Sequence, residues 1–172
     1  MQVKEIFDLM TERINSFSDF KISVLQSDFM ISMKSPLEYK HRPTIKYSVE
    51  LYRLNTTRLG ELRVVFRTQH SQLLMRLAEF FGIWIRVEIH YIHQYFPENS
   101  IRYSVEDGRF KRTMMMPQGI ENLTNELLSK ATCEYIEMFD EILKQYLYNP
   151  QLDAKYVENR YLEYLNNGLI IL

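Results

Sequence analysis

Three side chains near the middle of the chain, Glu88, His90 and His93, have the residue types of a metal site. Two histidines and one carboxylate are a ligand set that proteins use for transition metals. On a strand, Glu88 and His90 would share a face, whereas His93 would join them only if the strand broke or bulged after Tyr91. Because no other segment supplies a further ligand, we interpret these residues as surface side chains and predict no metal site.

A second pattern, Asp28 followed by Glu38-x-Lys40, has the order of acids and lysine found in many metal-dependent nucleases. In such enzymes both acids bind one Mg²⁺ and the lysine polarises the attacking water. Here Pro36 and Pro43 bracket Glu38 and Lys40 in a predicted loop, and the pattern is short enough to arise by chance. We therefore do not assign nuclease activity to it.

The remaining motifs of common enzymes are missing from the sequence, including the nucleophile elbow, the zinc-protease helix, the phosphate loop and the dinucleotide fingerprint. Cys133 is the single cysteine, so neither an intrachain disulfide nor a thiolate cluster can form within one chain. It falls off the apolar stripe of its predicted helix, and the neighbouring Glu134 would raise its pKa. We predict a non-enzymatic protein-binding module, an inhibitor or an assembly accessory protein, with no catalytic residue and no cofactor.

Hydrophobic periodicity predicts the elements that position these residues. Apolar residues three and four apart indicate helices, and strict alternation of apolar and polar residues indicates strands. The predicted helices cover 2–17, 70–81, 120–147 and 150–165, and the predicted strands cover 20–24, 29–33, 45–52, 62–67, 83–91, 101–106 and 109–115.

Three short signals set the boundaries of these elements. Gly82 is expected to end the mid-chain helix in a left-handed cap, so that a strand follows at once. Asp107-Gly108 is the strongest hairpin signal in the chain, because both positions of a type I′ turn need positive φ. Asn149-Pro150 is expected to cap the last helix, which Asn166-Asn167-Gly168 closes.

The predicted fold class is α+β. A mostly antiparallel sheet of about six or seven strands carries an N-terminal helix, a mid-chain helix and a C-terminal helical pair, packed mainly on one face. We expect one domain over residues 1–172, with a helix-plus-sheet segment at 2–117 and a helical segment at 118–172.

The polar side of the predicted strands carries basic and aromatic residues that suit binding. If these strands form one sheet, its non-helical face would expose several arginines around Trp84, and an exposed Trp beside Arg is typical of an interface. The binding residues we predict on this face are Trp84, Arg86, His90, Arg63, Arg67, Lys46 and Tyr52.

Two partners fit such a face. A protein would bury Trp84 as an anchor among paired arginines, and a nucleic acid would contact the arginines with its phosphates and stack its bases on the aromatic rings. Because Glu50 and Glu88 interrupt the patch and the pI is about 6.4, a protein partner is our first prediction. Nucleic acid is the alternative, a homo-oligomer is a third arrangement, and no membrane association is predicted.

The net charge of -1 conceals a strong regional asymmetry. Residues 34–112 carry fourteen Lys and Arg against eight Asp and Glu, and residues 113–172 carry four against nine. Either the acidic helices cover the basic sheet face or the two surfaces meet other molecules. One cysteine and no secretion signal indicate the cytoplasm, and the scarcity of alanine is typical of a phage or a low-GC bacterium.

Overall fold

The computed structural model describes residues 2–16, 20–35, 38–39, 42–43, 45–68, 74–92, 100–106, 109–116 and 124–168. The helices are α1 (Val3–Asn15), α2 (Leu74–Ile92), α3 (Asn125–Tyr148) and α4 (Ala154–Asn166). The strands are β1 (Lys21–Leu25), β2 (Met30–Lys34), β3 (Glu38–Tyr39), β4 (Arg42–Pro43), β5 (Ile45–Arg53), β6 (Leu59–Thr68), β7 (Ile101–Glu106) and β8 (Arg109–Met115). None of these helices is long and apolar enough to cross a membrane.

The main sheet has six strands in the order β1-β2-β5-β6-β8-β7, and every neighbouring pair is antiparallel. The predicted α+β class is therefore confirmed. Between β2 and β5 the chain forms a small ladder of β3 with β4, where the sequence predicted a loop. The predicted Asp107-Gly108 turn between β7 and β8 lies outside the described residues.

Aromatic packing on one face of the sheet holds the helices in place. Phe139 of α3 lies among rings from the sheet and from α2, with centroid separations of 6.0 Å to Phe66, 5.6 Å to Phe110 and 4.8 Å to Trp84. Offset and edge-to-face ring pairs at these distances add to the free energy gained by burying the rings. The inner face of the sheet is therefore its helix-covered face. Most polar strand residues point away from the helices, whereas Arg112 of β8 is buried on the inner face.

The mid-chain segment corrects the sequence prediction. Residues 83–91, predicted as a strand after Gly82, instead continue α2, which runs without interruption from Leu74 to Ile92. The buried positions Leu77, Phe80, Phe81, Trp84 and Val87 keep helical spacing straight through Gly82. Apolar residues at every second position gave the same segment a strand pattern, and the glycine was a misleading stop signal.

The C-terminal helical pair is confirmed, with a different cap between its members. Asp153, not Asn149-Pro150, caps α4: its carboxylate accepts hydrogen bonds from the backbone N–H groups of Lys155 and Tyr156. Asn149 instead follows the last turn of α3 as its C-cap. The Arg76 guanidinium donates to the carbonyl oxygens of Asn149 and Leu152 at 3.0 Å, so α2 fixes the turn between α3 and α4.

Asp140 of α3 joins that helix to the sheet. Its Oδ1 accepts hydrogen bonds from Ser35 Oγ at 2.7 Å and from the Tyr47 hydroxyl at 2.9 Å. Burial raises the pKa of Asp140 above its ordinary value of 3.8, and these two hydrogen bonds offset part of that shift. The folded protein therefore holds this proton more tightly than the unfolded chain does.

Asp140→Asn is expected to gain stability relative to the wild type as pH rises. Between the unfolded pKa and the higher folded pKa, the folded wild type binds more protons, so its free energy of unfolding falls as pH rises through that window. An amide oxygen can accept the same two hydrogen bonds and does not ionise. Urea unfolding from pH 3 to pH 8 measures the difference, and a constant difference between the two proteins would contradict the shift.

Gly82→Ala tests the continuous helix directly. An added Cβ would meet only Arg86 Nη1, at 4.0 Å, so alanine should stabilise α2 by about 0.5–1 kcal/mol. Gly168→Ala is the matched control, because Gly168 has φ +88 and alanine there should cost about 1 kcal/mol. Thermal and urea unfolding measure both changes. A loss of stability in Gly82→Ala would favour the left-handed cap that the sequence predicted.

Candidate anion-binding face

The seven predicted binding residues divide between two parts of the molecule. Lys46 and Tyr52 of β5 and Arg63 and Arg67 of β6 share the outer face of the sheet, the face opposite the helices, as predicted. The other three, Trp84, Arg86 and His90, belong to α2 and are not on the sheet. The predicted face therefore keeps Lys46, Tyr52, Arg63 and Arg67 and loses Trp84, Arg86 and His90.

Trp84 is a core residue, which corrects its predicted outward position. Its side chain is 0% exposed, its indole N–H donates to the Tyr135 hydroxyl at 2.8 Å, and its ring packs on Phe80 and Tyr161. The helix, rather than a strand, turns it inward with the apolar stripe of α2. It anchors α4 to α2 in the folded chain and is not available as a surface anchor.

Arg86 and His90 are exposed on α2, where they line a groove against α4 with Tyr91 and Glu158. Glu88 is fully buried while His90 is exposed, because residues two apart on a helix point in nearly opposite directions. His93 lies outside the described residues. Glu88 and His90 therefore do not share a face, as they would on a strand. No group of metal-binding side chains occurs in the described parts of the chain.

The nuclease-like pattern falls only partly on described residues. Asp28 lies in the turn before β2, and Glu38 lies in β3, which follows β2 in the chain. Lys40 lies outside the described residues. Cys133 is buried in the core rather than off it, and burial raises the pKa of its thiol to about 12.

Glu88 makes a buried ion pair with the sheet instead of facing solvent. Arg112 Nε of β8 donates to Glu88 Oε1 at 2.6 Å, the Tyr103 hydroxyl donates to the same oxygen, and the guanidinium lies 4.2 Å from the centre of the Tyr135 ring. Burial and the nearby carboxylate raise the pKa of Tyr103, which keeps its hydroxyl a donor. This cluster fixes the position of α2 on the inner face.

The sheet register creates a continuous row of positive charge across the outer face. Each member lies directly opposite the next in the neighbouring strand. We call this set the cationic row, and it consists of Lys21, Lys34, Lys46, Arg67 and Arg109. Glu106 of the edge strand β7 ends it beside Arg109. Like charges directly opposite one another destabilise a sheet, so the row carries an electrostatic cost.

No described side chain neutralises this row. None of its members takes part in an ion pair or a side-chain hydrogen bond within the described ranges, and Lys21, Lys46 and Arg67 are exposed. Strand spacings of about 4.8 Å give the row a length of roughly 19 Å. Lys21, Lys46 and Arg67 thus give the row exposed positive charge that has no counter-charge among the described residues.

The opposite end of the same face neutralises itself. Arg63 donates to Thr113 Oγ1, the Tyr52 hydroxyl and Glu61 at 3.2–3.4 Å, and its guanidinium lies 4.5 Å from the centre of the Tyr52 ring. Tyr52 in turn donates to Glu50 at 2.5 Å. Two of the predicted binding residues, Arg63 and Tyr52, are therefore already satisfied inside the protein.

Small hydroxyl side chains lie beside the cationic row. Ser23, Ser32 and Ser48 lie opposite one another on β1, β2 and β5, two residues along each strand from the lysines of the cationic row. We call them the serine row. Together with Lys21, Lys34, Lys46 and Arg67 they line a depression of about 380 Å³. Ser48 already donates its hydroxyl to Glu50 Oε2 at 3.1 Å. The ammonium and guanidinium groups, with the hydroxyls of Ser23 and Ser32, are the donors in this depression that suit phosphate oxygens.

The acidic helices do not cover this face. Glu137 and Glu141 of α3 are exposed on the helical side, where Phe139 packs on the inner face of the sheet. The regional charge asymmetry therefore becomes a spatial one, with a basic sheet face and an acidic helical side. Such a distribution orients the molecule in the field of a charged partner.

Sequence reasoning missed Lys21, Lys34 and Arg109 as members of the site. Each occupies a polar position in a strand that the sequence predicts from alternating apolar and polar residues. The alternation of apolar and polar residues predicts which face of the sheet each side chain occupies. It does not predict which residues of neighbouring strands lie opposite one another. The register that sets these residues opposite Lys46 and Arg67 depends on contacts between strands.

Comparisons with protein-family models, with curated proteins and with solved structures find no match for this chain.

Arg112→Met should destabilise the protein by about 3–5 kcal/mol, because it leaves the buried Glu88 carboxylate without its ion-pair partner. The double variant Glu88→Met/Arg112→Met should recover part of this loss, since no buried charge remains. Urea unfolding followed by Trp84 fluorescence measures both, because Trp84 is the single tryptophan and is buried beside Tyr135. A double variant no more stable than Arg112→Met would contradict this account.

Proposed function

We propose that the protein binds nucleic acid through the outer face of its sheet, with the cationic row contacting the phosphate backbone. The observation that carries the proposal is the row itself, which places five basic residues opposite one another without a described internal counter-charge. Each basic residue that contacts a phosphate releases bound counterions, which is the main source of sequence-independent affinity.

A protein partner, the first prediction from the sequence, has less support on this face. Its expected anchor was Trp84, which lies in the core, and the remaining aromatic candidate, Tyr52, is held by Glu50 and Arg63. Interface hot spots are typically aromatic or arginine side chains in a desolvated pocket. Unpaired lysines on an exposed sheet match a polyanion better than such a pocket.

The overall acidity of the chain does not oppose this proposal. The pI of about 6.4 averages a basic sheet face with an acidic helical side, and a bound phosphate backbone would meet the basic face alone. A cytoplasmic location, a non-enzymatic role and a phage or low-GC bacterial origin stay predictions from composition. A homo-oligomer likewise stays a prediction.

Lys46→Ala/Arg67→Ala should weaken binding to a fluorescein-labelled 20-base-pair DNA duplex by at least about tenfold. It should also reduce the slope of log K against log salt by about 2, one for each lost phosphate contact. Fluorescence anisotropy between 50 and 300 mM salt measures both quantities. Removing two opposed like charges should leave the melting temperature unchanged or raise it slightly.

The matched control is Lys144→Ala/Lys155→Ala, which removes two exposed lysines from α3 and α4 and gives the same net charge. Its affinity and salt slope should stay close to those of the wild type. Equal weakening in both double variants would show that net charge, not the row, governs binding. No binding to DNA or RNA, together with capture of an acidic protein that the row variant loses, would replace the proposal with a protein partner.

A further inference from the structure

We infer that the ligand of the outer face is a nucleic acid duplex, bound by its backbone without regard to base sequence; this inference rests on the proposed function. The depression between the cationic row and the serine row is the structural feature that points to it. Four basic side chains and three serines line this depression. The distinction between duplex and single strand depends on what else the face offers.

Within the six strands of the main sheet, the outer face offers no unoccupied aromatic ring. Proteins that bind single strands typically stack successive bases on aromatic side chains. The aromatic residue at the outward positions of these strands is Tyr52, whose hydroxyl and ring are occupied by Glu50 and Arg63. It lies six residues along β5 from Lys46, about 20 Å away. A single strand on the cationic row would therefore leave its bases in water.

Without stacking of bases on aromatic side chains, the charge density of the ligand decides between a duplex and a single strand. A duplex carries one phosphate charge per 1.7 Å of its axis, and one strand carries a charge per 3.4 Å. Along the ~19 Å of the cationic row a duplex thus presents about eleven charges and a single strand about six. With both ligands held by phosphate contacts alone, the row attracts the duplex more strongly.

The shape of the face also suits a convex ligand. Ser48 lies in the depression and is 7% exposed, whereas Leu25 on the edge strand β1 is 44% exposed. Longer basic side chains flank the three serines, so the floor of the depression lies along the serine row. A duplex backbone can enter such a depression while the flanking lysines and arginines reach its phosphates.

The depression offers little that could distinguish one base from another. Base readout depends on Asn, Gln, carboxylates or bidentate Arg reaching base edges in a groove. The polar side chains that line the depression are lysines, serines, Tyr47 and Arg67, and Tyr47 donates its hydroxyl to Asp140 on the inner side. Contacts to phosphates and sugars fix the position of a ligand but carry no sequence information.

The test compares a 20-base-pair DNA duplex with each of its two separated strands by fluorescence anisotropy at 100 mM salt, together with a second duplex of unrelated sequence. We expect the duplex to bind about tenfold more tightly than either strand, and the two duplexes to agree within about threefold. Ser23→Ala/Ser32→Ala should weaken both duplexes equally. These serines are small, and the melting temperature of the variant shows whether it is folded.

Different results would contradict the binding of nucleic acid and the preference for a duplex. Single strands that bind as tightly as the duplex, or a preference above about threefold between the two duplexes, would overturn the duplex inference. The proposed function would stand in that case, provided that Lys46→Ala/Arg67→Ala weakens the binding by at least about tenfold. Binding that this double variant does not affect, or no binding to any of the probes, would overturn both.

Discussion

The packing of aromatic rings around Phe139 is the interaction on which the rest of the structure depends. Phe139 touches rings of the sheet and of α2 at once, and Tyr47, Phe66 and Phe110 present those rings from three neighbouring strands. Because ring pairs combine a large buried area with specific geometry, this cluster holds α2 and α3 on the same side of the sheet. None of the four described helices packs its rings on the outer face.

A sheet covered on one side can carry charge on the other. The cationic row has like charges opposite one another in five adjacent strands, which costs stability. The stability lost there is small compared with what the aromatic core contributes, so the fold tolerates it. A cost of this kind without internal compensation is common at functional surfaces. The self-neutralised network around Arg63 shows that the same face can satisfy a basic residue internally.

The ion pair between Glu88 and Arg112 allows two charged side chains to be buried between α2 and the sheet. Ion pairs removed from water need close geometry and further hydrogen bonds. The Tyr103 hydroxyl donates one to Glu88, and the Arg112 guanidinium lies over the Tyr135 ring. Such a pair adds little net stability compared with apolar side chains of the same size. We interpret its role as specificity, since it requires one rotational setting of α2 against β8.

The amino-acid sequence by itself determined the elements with unambiguous periodicity, namely α1, the hairpins of β1–β2 and β7–β8, the long strand β5, and the separation of basic and acidic segments. Local patterns suffice there because each element shows its period within a few residues. The tertiary structure decided three things. It made residues 83–91 helical. The apolar residues of this segment fit both the helical and the strand periodicity, so packing against the core determines which element forms. Trp84 and Glu88 reach Tyr135 and Arg112 as part of α2. It capped α4 with Asp153. It also aligned Lys21, Lys34, Lys46, Arg67 and Arg109 in one row, since alternation gives the side of each strand while register depends on contacts between residues far apart in the chain.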